Sequence, residues 1–258
     1  MTVDVAGLAR RLDVAQTSGI ETTSIEADCR LDVAGAYRVQ DHLVDLRRAR
    51  GESVVGVKLG FTSKAKMAQM GVSDVIVGRL TDAMQIADDG VTDLSRYIHP
   101  KVEPEVAYRI SRDVDIDDPS LDILAHIDAM AAALEVIDSR YLNFSFTYAD
   151  VVADNTSAAG FAVGEWTPLG DAGDRAVTLR AGDVETTGST AAILDDPVNA
   201  LHALADMCRR HRIELRAGHI VLAGAATAAI PLDDGDVTCA VDRIGTVGFH
   251  ATRSMGER

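Results

Sequence analysis

The sequence is short of the residues that mark several common protein classes. Its three cysteines, Cys29, Cys208 and Cys239, are an odd number with no CxxC spacing, which argues against a disulfide framework or a zinc knuckle and fits a reduced, cytoplasmic compartment. No apolar stretch approaches membrane-spanning length, and Met1 to Leu12 has no unbroken apolar run before a cleavage-like site. The small-residue run Gly224 to Ala229 lacks both the Walker lysine and the strand–GxGxxG–helix context, so nucleotide binding is not expected. Positive charge is also scarce. With 25 Lys and Arg against 40 Asp and Glu, the formal net charge is -15, which excludes nucleic acid and anionic membranes as natural partners. An acidic substrate therefore needs a local Lys, Arg or metal. Only 6 prolines and a 47% hydrophobic fraction in 258 residues predict a fully folded protein with a substantial core.

What is present centres on Lys101 to Ile110, Lys-Val-Glu-Pro-Glu-Val-Ala-Tyr-Arg-Ile. At period two, Val102, Pro104, Val106, Tyr108 and Ile110 share one strand face, and Lys101, Glu103, Glu105, Ala107 and Arg109 share the other. Two carboxylates on neighbouring same-face positions repel unless something positive lies between them. Water and salt serve on a solvated face; a hard divalent cation serves in a site. Pro104 forgoes a ladder donor, so the strand is expected to be an edge, or bulged where it carries the glutamates.

Around this strand, Val5 to Gln16 and Val33 to Arg50 read as amphipathic helices, making residues 1–52 a helical section in which His42 and Arg47 are expected at the surface. Residues 53–258 read as β-rich. Val54 to Phe61 is an apolar strand interrupted by Lys58, which either points into a pocket or snorkels to water. Thr62 and Ser63 then cap a short helix, Lys64 to Met70, whose first N–H groups could hold an anion. Leu121 to Ala132 reads as a further helix, and Asp196-Pro197 opens another from Val198 to His211. Cys208 and Cys239 are expected in the core.

A third acid, Glu135, lies between Leu134 and Val136 in an apolar strand. Burying it unpaired would cost on the order of several kcal/mol, so it needs a proton or a cation. Arg140 or Lys58 could serve structurally; a metal shared with Glu103 and Glu105 could serve functionally. Tyr141 to Phe146 holds three of the few aromatics and could wall a pocket.

Four stretches together resemble one family. Gly56-Val57-Lys58-Leu59-Gly60-Phe61-Thr62-Ser63, His99-Pro100-Lys101-Val102-Glu103-Pro104-Glu105-Val106-Ala107, Glu135-Val136-Ile137-Asp138-Ser139-Arg140 and Val152-Ala153-Asp154-Asn155-Thr156-Ser157 are similar, in order, to the 2-keto-4-pentenoate hydratase / 4-oxalocrotonate decarboxylase family of the fumarylacetoacetate hydrolase superfamily. The resemblance implies an α+β fold: a mixed β-roll core with an N-terminal helical section. It implies magnesium or manganese held by Glu103, Glu105 and Glu135, with Lys58 and Glu105 as catalytic residues and Ser157 as a substrate-contacting hydroxyl. Ala65 to Val72, His99-Pro100-Lys101, Ser139-Arg140-Tyr141 and Thr227-Ala228-Ala229 resemble the decarboxylase branch. Pro104 departs from the family's usual alanine, Thr156 from its common alanine, and Lys64 matches the hydratase version of its helix.

Decarboxylation of a 2-oxo-3-enedioate is thus the expected reaction, with hydration of 2-hydroxypenta-2,4-dienoate as the alternative and an inactive binding partner as a third. The substrate is a small 2-oxo acid; Thr62, Ser63, Tyr141, Ser157 and Thr227 are the candidate substrate contacts. A loosely held or apolar pocket is expected at the substrate's distal end, with Tyr141, Asn143 and Phe144 as candidates. The family further implies homo-oligomers and association with the partner hydratase.

Overall fold

The computed structural model describes residues 3–63, 67–68 and 74–253. The helix expected over Lys64 to Met70, with its flanking Gly71 and Val72, lies almost wholly outside them. Two packed helices come first, α1 (Val5–Ser18) and α2 (Val33–Ala49). Asp4 and Asp32 cap them by accepting from the N–H groups of Gly7 and Gly35, and Gly19, at φ 65°, ends α1 in the left-handed region.

The strands follow as β1 (Val54–Gly60), β2 (Ile76–Thr81), β3 (Gly90–Asp93), β4 (Lys101–Ile110) and β5 (Ile127–Ile137). After helix α3 (Tyr148–Ala153) come β6 (Ala158–Val163), β7 (Thr167–Pro168), β8 (Ala176–Ala181) and β9 (Val184–Ser189). Helix α4 (Pro197–His211) leads to β10 (Ile220–Ala225), β11 (Ile230–Pro231), β12 (Gly235–Val241) and β13 (Gly245–Thr252). One sheet runs β2-β1-β10-β4-β5-β6, with β11 paired to β4 and β7 to β5; the other runs β3-β13-β12-β8-β9. Both are mixed, since β1–β10 and β13–β3 are parallel and the other pairs antiparallel.

The second sheet packs its Val237, Cys239, Val247 and Phe249 against β5, closing the main core over Met130, Leu134 and Val136. Alternation then places Ala107 and Ala133 on the opposite face of the first sheet, in a small cluster with Leu80, Phe161 and Leu222. Glu103, Glu105 and Glu135 share that second face. They lie inside the curl of the sheet, not on its outer surface.

Helix α2 covers the edge strand β2. The Tyr37 hydroxyl accepts from the Val77 N–H at 3.1 Å, and Gln40 Nε2 donates to the Val77 carbonyl at 3.0 Å and the Val152 carbonyl at 2.8 Å. Asn155 completes the cover: its side chain accepts from Arg79 N–H and donates to Arg79 C=O, both at 2.8 Å, in place of a neighbouring strand.

Two expectations need correction, and a third is narrowed. Leu121 to Ala132 is not a helix; a short 3₁₀ turn, Ile123–His126, leads straight into β5. Paired along its length with β4 and flanked by β6 and β7, β5 is buried on both faces, so it shows no period-two pattern, and its alanines read as helix until tertiary pairing overrides them. Arg47 is buried, not at the surface, paired at 2.9 Å with Glu52, which also accepts from the Thr81 hydroxyl at 2.6 Å. And β4 is central, which rules out the edge and leaves the bulge, the other alternative for this strand, as the one observed.

Pro104 is accommodated there by a break in the ladder on one side only. It pairs with Leu134 of β5, while towards β10 the register shifts between Leu222 and Ala225. The Pro104 carbonyl points to that side and accepts from Ala226 N–H at 2.9 Å, so the missing N–H points there too. Replacing Pro104 by alanine frees the unfolded chain without adding a paired donor. We expect Pro104→Ala to cost about 0.5–1 kcal/mol, a fall of roughly 1–4 °C in Tm by calorimetry; a higher Tm would show that the ring strains β4.

Candidate active site

Glu103 and Glu135 sit directly opposite each other across β4 and β5, and Glu105 is diagonal to Glu135, opposite Ala133. Each offers an oxygen within 4.8 Å of the others', and relative exposures are 5%, 1% and 0% for Glu103, Glu105 and Glu135. The solvated-face alternative is therefore overturned. Like charges so placed destabilise a sheet unless a cation lies between them. Burial, then repulsion by Glu135, pushes the Glu105 carboxyl well above its usual range, and Lys58 and the Gly224 N–H pull it only part of the way back. Burial likewise pushes Glu135 up against the pull of Lys58. Glu105 Oε1 and Glu135 Oε1 are buried without a hydrogen-bond partner. An all-oxygen, carboxylate-rich set with orphaned acceptors fits a hard divalent cation.

The Lys58 ammonium lies 3.0 Å from Glu135 Oε2 and donates to the Thr156 carbonyl at 3.1 Å. It belongs to β1, and three strand spacings separate β1 from β5 in the sheet order. Flat, that is about 14 Å, beyond a lysine's reach; the curl of the sheet makes the contact. Arg140, the other candidate partner for Glu135, pairs instead with Asp154, with both side chains buried. Burial pushes the Asp154 carboxyl up to about 6 although Arg140 pulls it down. This pair anchors the turn that presents Lys58's acceptor.

That turn is strained. Asn155, Thr156 and Ser157 have φ of 50°, 56° and 59°, three successive left-handed residues, one of them β-branched. Gly78 permits it, because a Cβ there would stand 2.5 Å from the Asn155 carbonyl oxygen. Gly224 plays the same part beside Glu105. Its N–H donates to Glu105 Oε2 at 2.6 Å, its φ is +123°, and a Cβ would stand 2.0 Å from the Thr62 hydroxyl oxygen.

A cavity of about 540 Å³ opens from these groups, lined at its inner end by Lys58, Glu103, Thr156 and Ser157. The hydroxyls of Thr156 and Ser157 are buried without hydrogen-bond partners. Phe144, Phe146 and Ile137 form an apolar wall, and Lys101 lies further out. The other expected substrate contacts lie outside this lining. Thr62 packs against Gly224 and its carbonyl accepts from Leu194 N–H; Ser63 follows it outside the wall. Tyr141 is buried in the core with its hydroxyl donating to the Asp150 carbonyl at 3.0 Å, and the Thr227 hydroxyl donates to the Ala228 carbonyl. Asn143 is exposed, whereas Phe144 and the neighbours of Thr227, Ala228 and Ala229, do line the cavity.

Sequence reasoning assigned no role to Lys101, Gly224 or Thr156. The period-two face of β4 contained the signal for Lys101. Gly224 had none, since its role depends on a neighbour from a distant loop.

No family model matches the chain. A 4-oxalocrotonate decarboxylase of a Pseudomonas species is 43% identical over 257 residues, covering 98% of this chain and 99% of that protein. The chain belongs to the 4-oxalocrotonate decarboxylase and 2-keto-4-pentenoate hydratase family. The hydratase side of the family is represented by the 2-keto-4-pentenoate hydratase of Burkholderia vietnamiensis, 36% identical, covering 94% of this chain and 95% of that one. Among family structures, the 4-oxalocrotonate decarboxylase from Pseudomonas putida G7, complexed with magnesium and adipate, superposes with a TM-score of 0.90 at 33% identity, covering 96% of this chain and 97% of that one. The mixed β-roll that the motifs implied is the fold observed.

The Gly224 contact gives a test of how the family's site is held here. Gly224→Ala is expected to lower divalent-cation affinity roughly tenfold or more, by moving the donor that orients Glu105. Titration calorimetry with magnesium would measure it; unchanged affinity would remove Gly224 from the site.

Proposed function

We propose that this protein decarboxylates a 2-oxo-3-enedioate to a 2-hydroxy-2,4-dienoate, using magnesium or manganese at Glu103, Glu105 and Glu135. The observation that carries the reading is the buried three-glutamate cluster with Lys58 at the inner end of a cavity, in a chain similar along its whole length to 4-oxalocrotonate decarboxylases. Structures of the Pseudomonas putida G7 decarboxylase with magnesium and with calcium support a divalent ion. When bound, such an ion supplies Lewis acidity towards the substrate's 2-oxo oxygen.

The chain's own residues supply position and proton control. Lys58 has three donors; one direction serves Glu135 and one the Thr156 carbonyl, leaving the third for the substrate. The unpartnered Ser157 and Thr156 hydroxyls can hold its 1-carboxylate. Phe144, Phe146 and Ile137 keep water from the conjugated chain. The distal carboxyl is vinylogous to that of a β-keto acid. Breaking the C5–C6 bond releases carbon dioxide and sends the electron pair through the diene to the 2-oxo oxygen, where Lys58 can deliver a proton. No further cofactor is required.

Hydration is the second reading: hydratases are also relatives of this chain, though at 36% identity against 43% for the decarboxylase. It would use the same anchoring of the 2-oxo acid and add water to 2-hydroxypenta-2,4-dienoate. A paired assay separates the two. Purified protein with magnesium should release carbon dioxide from 2-oxohex-3-enedioate; hydration of the dienoate with no such release would favour the second reading. Glu105→Gln should lower turnover by at least about 10³-fold, a loss of ~4 kcal/mol, and weaken magnesium binding with the fold intact by circular dichroism. Unchanged turnover would sink the ligand assignment.

A further inference from the structure

Among the described residues two lysines line the cavity, and one of them is engaged with the protein's own acids. Lys58 pairs with Glu135, whereas Lys101, also lining the cavity, has no carboxylate partner among the described residues. Its ammonium rests over the Phe144 ring, 4.5 Å from the centroid. We infer that Lys101 is a specificity-determining residue that receives the distal carboxylate of a dicarboxylate substrate. The inference rests on the 2-oxo acid reading of the site.

The spacing supports it. Lys101 and Glu103 share one face of β4 two residues apart, about 6.6 Å along the strand. Lys101 pairs with Ile137, itself part of the cavity wall, so the cavity extends along β4 from the acids towards the lysine. Five carbon–carbon bonds of about 1.5 Å in an extended zigzag span roughly 6 Å between the two carboxyl carbons of a six-carbon diacid. A substrate whose 2-oxo acid end lies at the glutamates thus brings its far carboxylate within range of Lys101. This replaces the expectation of a distal pocket without a positive group.

A cation at that end does not need to oppose the reaction strongly. It attracts the substrate's distal charge in the ground state and loses part of that attraction as the charge moves into the forming diene, so it tightens substrate binding and costs the chemical step part of what it supplies to binding. Once the neutral gas has left, the ammonium keeps the Phe144 face as its partner. Lys101 therefore selects diacids through KM.

Two saturated probes of equal length isolate the contact: 2-oxoadipate, with a distal carboxylate, and 2-oxohexanoate, with a distal methyl. With the magnesium-loaded protein, calorimetry should show 2-oxoadipate binding roughly tenfold or more tightly than 2-oxohexanoate. Lys101→Met should abolish the preference and leave 2-oxohexanoate affinity unchanged, while Lys101→Arg should keep it. In turnover of the enedioate, Lys101→Met should raise KM and raise kcat with it. A preference that survives Lys101→Met, an equal loss for both probes, or no preference in the wild type would overturn the inference. If neither probe binds the wild type, the 2-oxo acid reading falls and this inference with it. Binding with the expected preference but no carbon dioxide release would leave Lys101's role standing and remove only the decarboxylase assignment.

Discussion

Three carboxylates held within 4.8 Å of one another in a buried interior are the constraint on which the rest of this structure depends. Each would be costly to bury alone, by an amount on the order of several kcal/mol. The fold answers with Lys58 from across the sheet, an N–H from Gly224, and an all-oxygen donor set that suits a hard cation. The curl of the first sheet is what makes those answers meet, because β1 and β5 are not neighbours in it.

Positioning costs are accepted nearby in order to hold this arrangement. The left-handed run Asn155-Thr156-Ser157 is strained, yet it is tied on both sides. The buried Arg140–Asp154 pair precedes it, and the Asn155 side chain locks it to the edge of β2. Strain over-determined in this way places the Thr156 carbonyl under Lys58 and leaves two hydroxyls facing the cavity. Helix α2 joins the same structure, since Tyr37 and Gln40 pair with the outward N–H and C=O of Val77 in β2. Its amphipathic face thus does more than bury apolar surface.

The local patterns that carried through are those in which one period dominates. Helices α1, α2 and α4 have clean apolar stripes and Asp caps. Strand β5 failed because a strand buried on both faces has no alternation to detect, and alanine favours helix until neighbouring strands claim its backbone. Arg47 failed for a related reason: its partner Glu52 lies beyond the end of its helix, so nothing in the helical pattern marks it as buried.

By itself, the sequence determined that Glu103 and Glu105 share a face, that Glu135 and Lys58 interrupt apolar strands, and that four ordered motifs resemble one family. Those are properties of local period and residue order, which the chain carries wherever it goes. Tertiary structure alone decided that Lys58, not Arg140, meets Glu135, that Tyr141 belongs to the core and Phe144 to the cavity, and that Lys101 stands on the same strand face with no acid to pair it among the described residues. Which charge meets which depends on strand order and sheet curvature, and those arise from contacts between residues far apart in the chain.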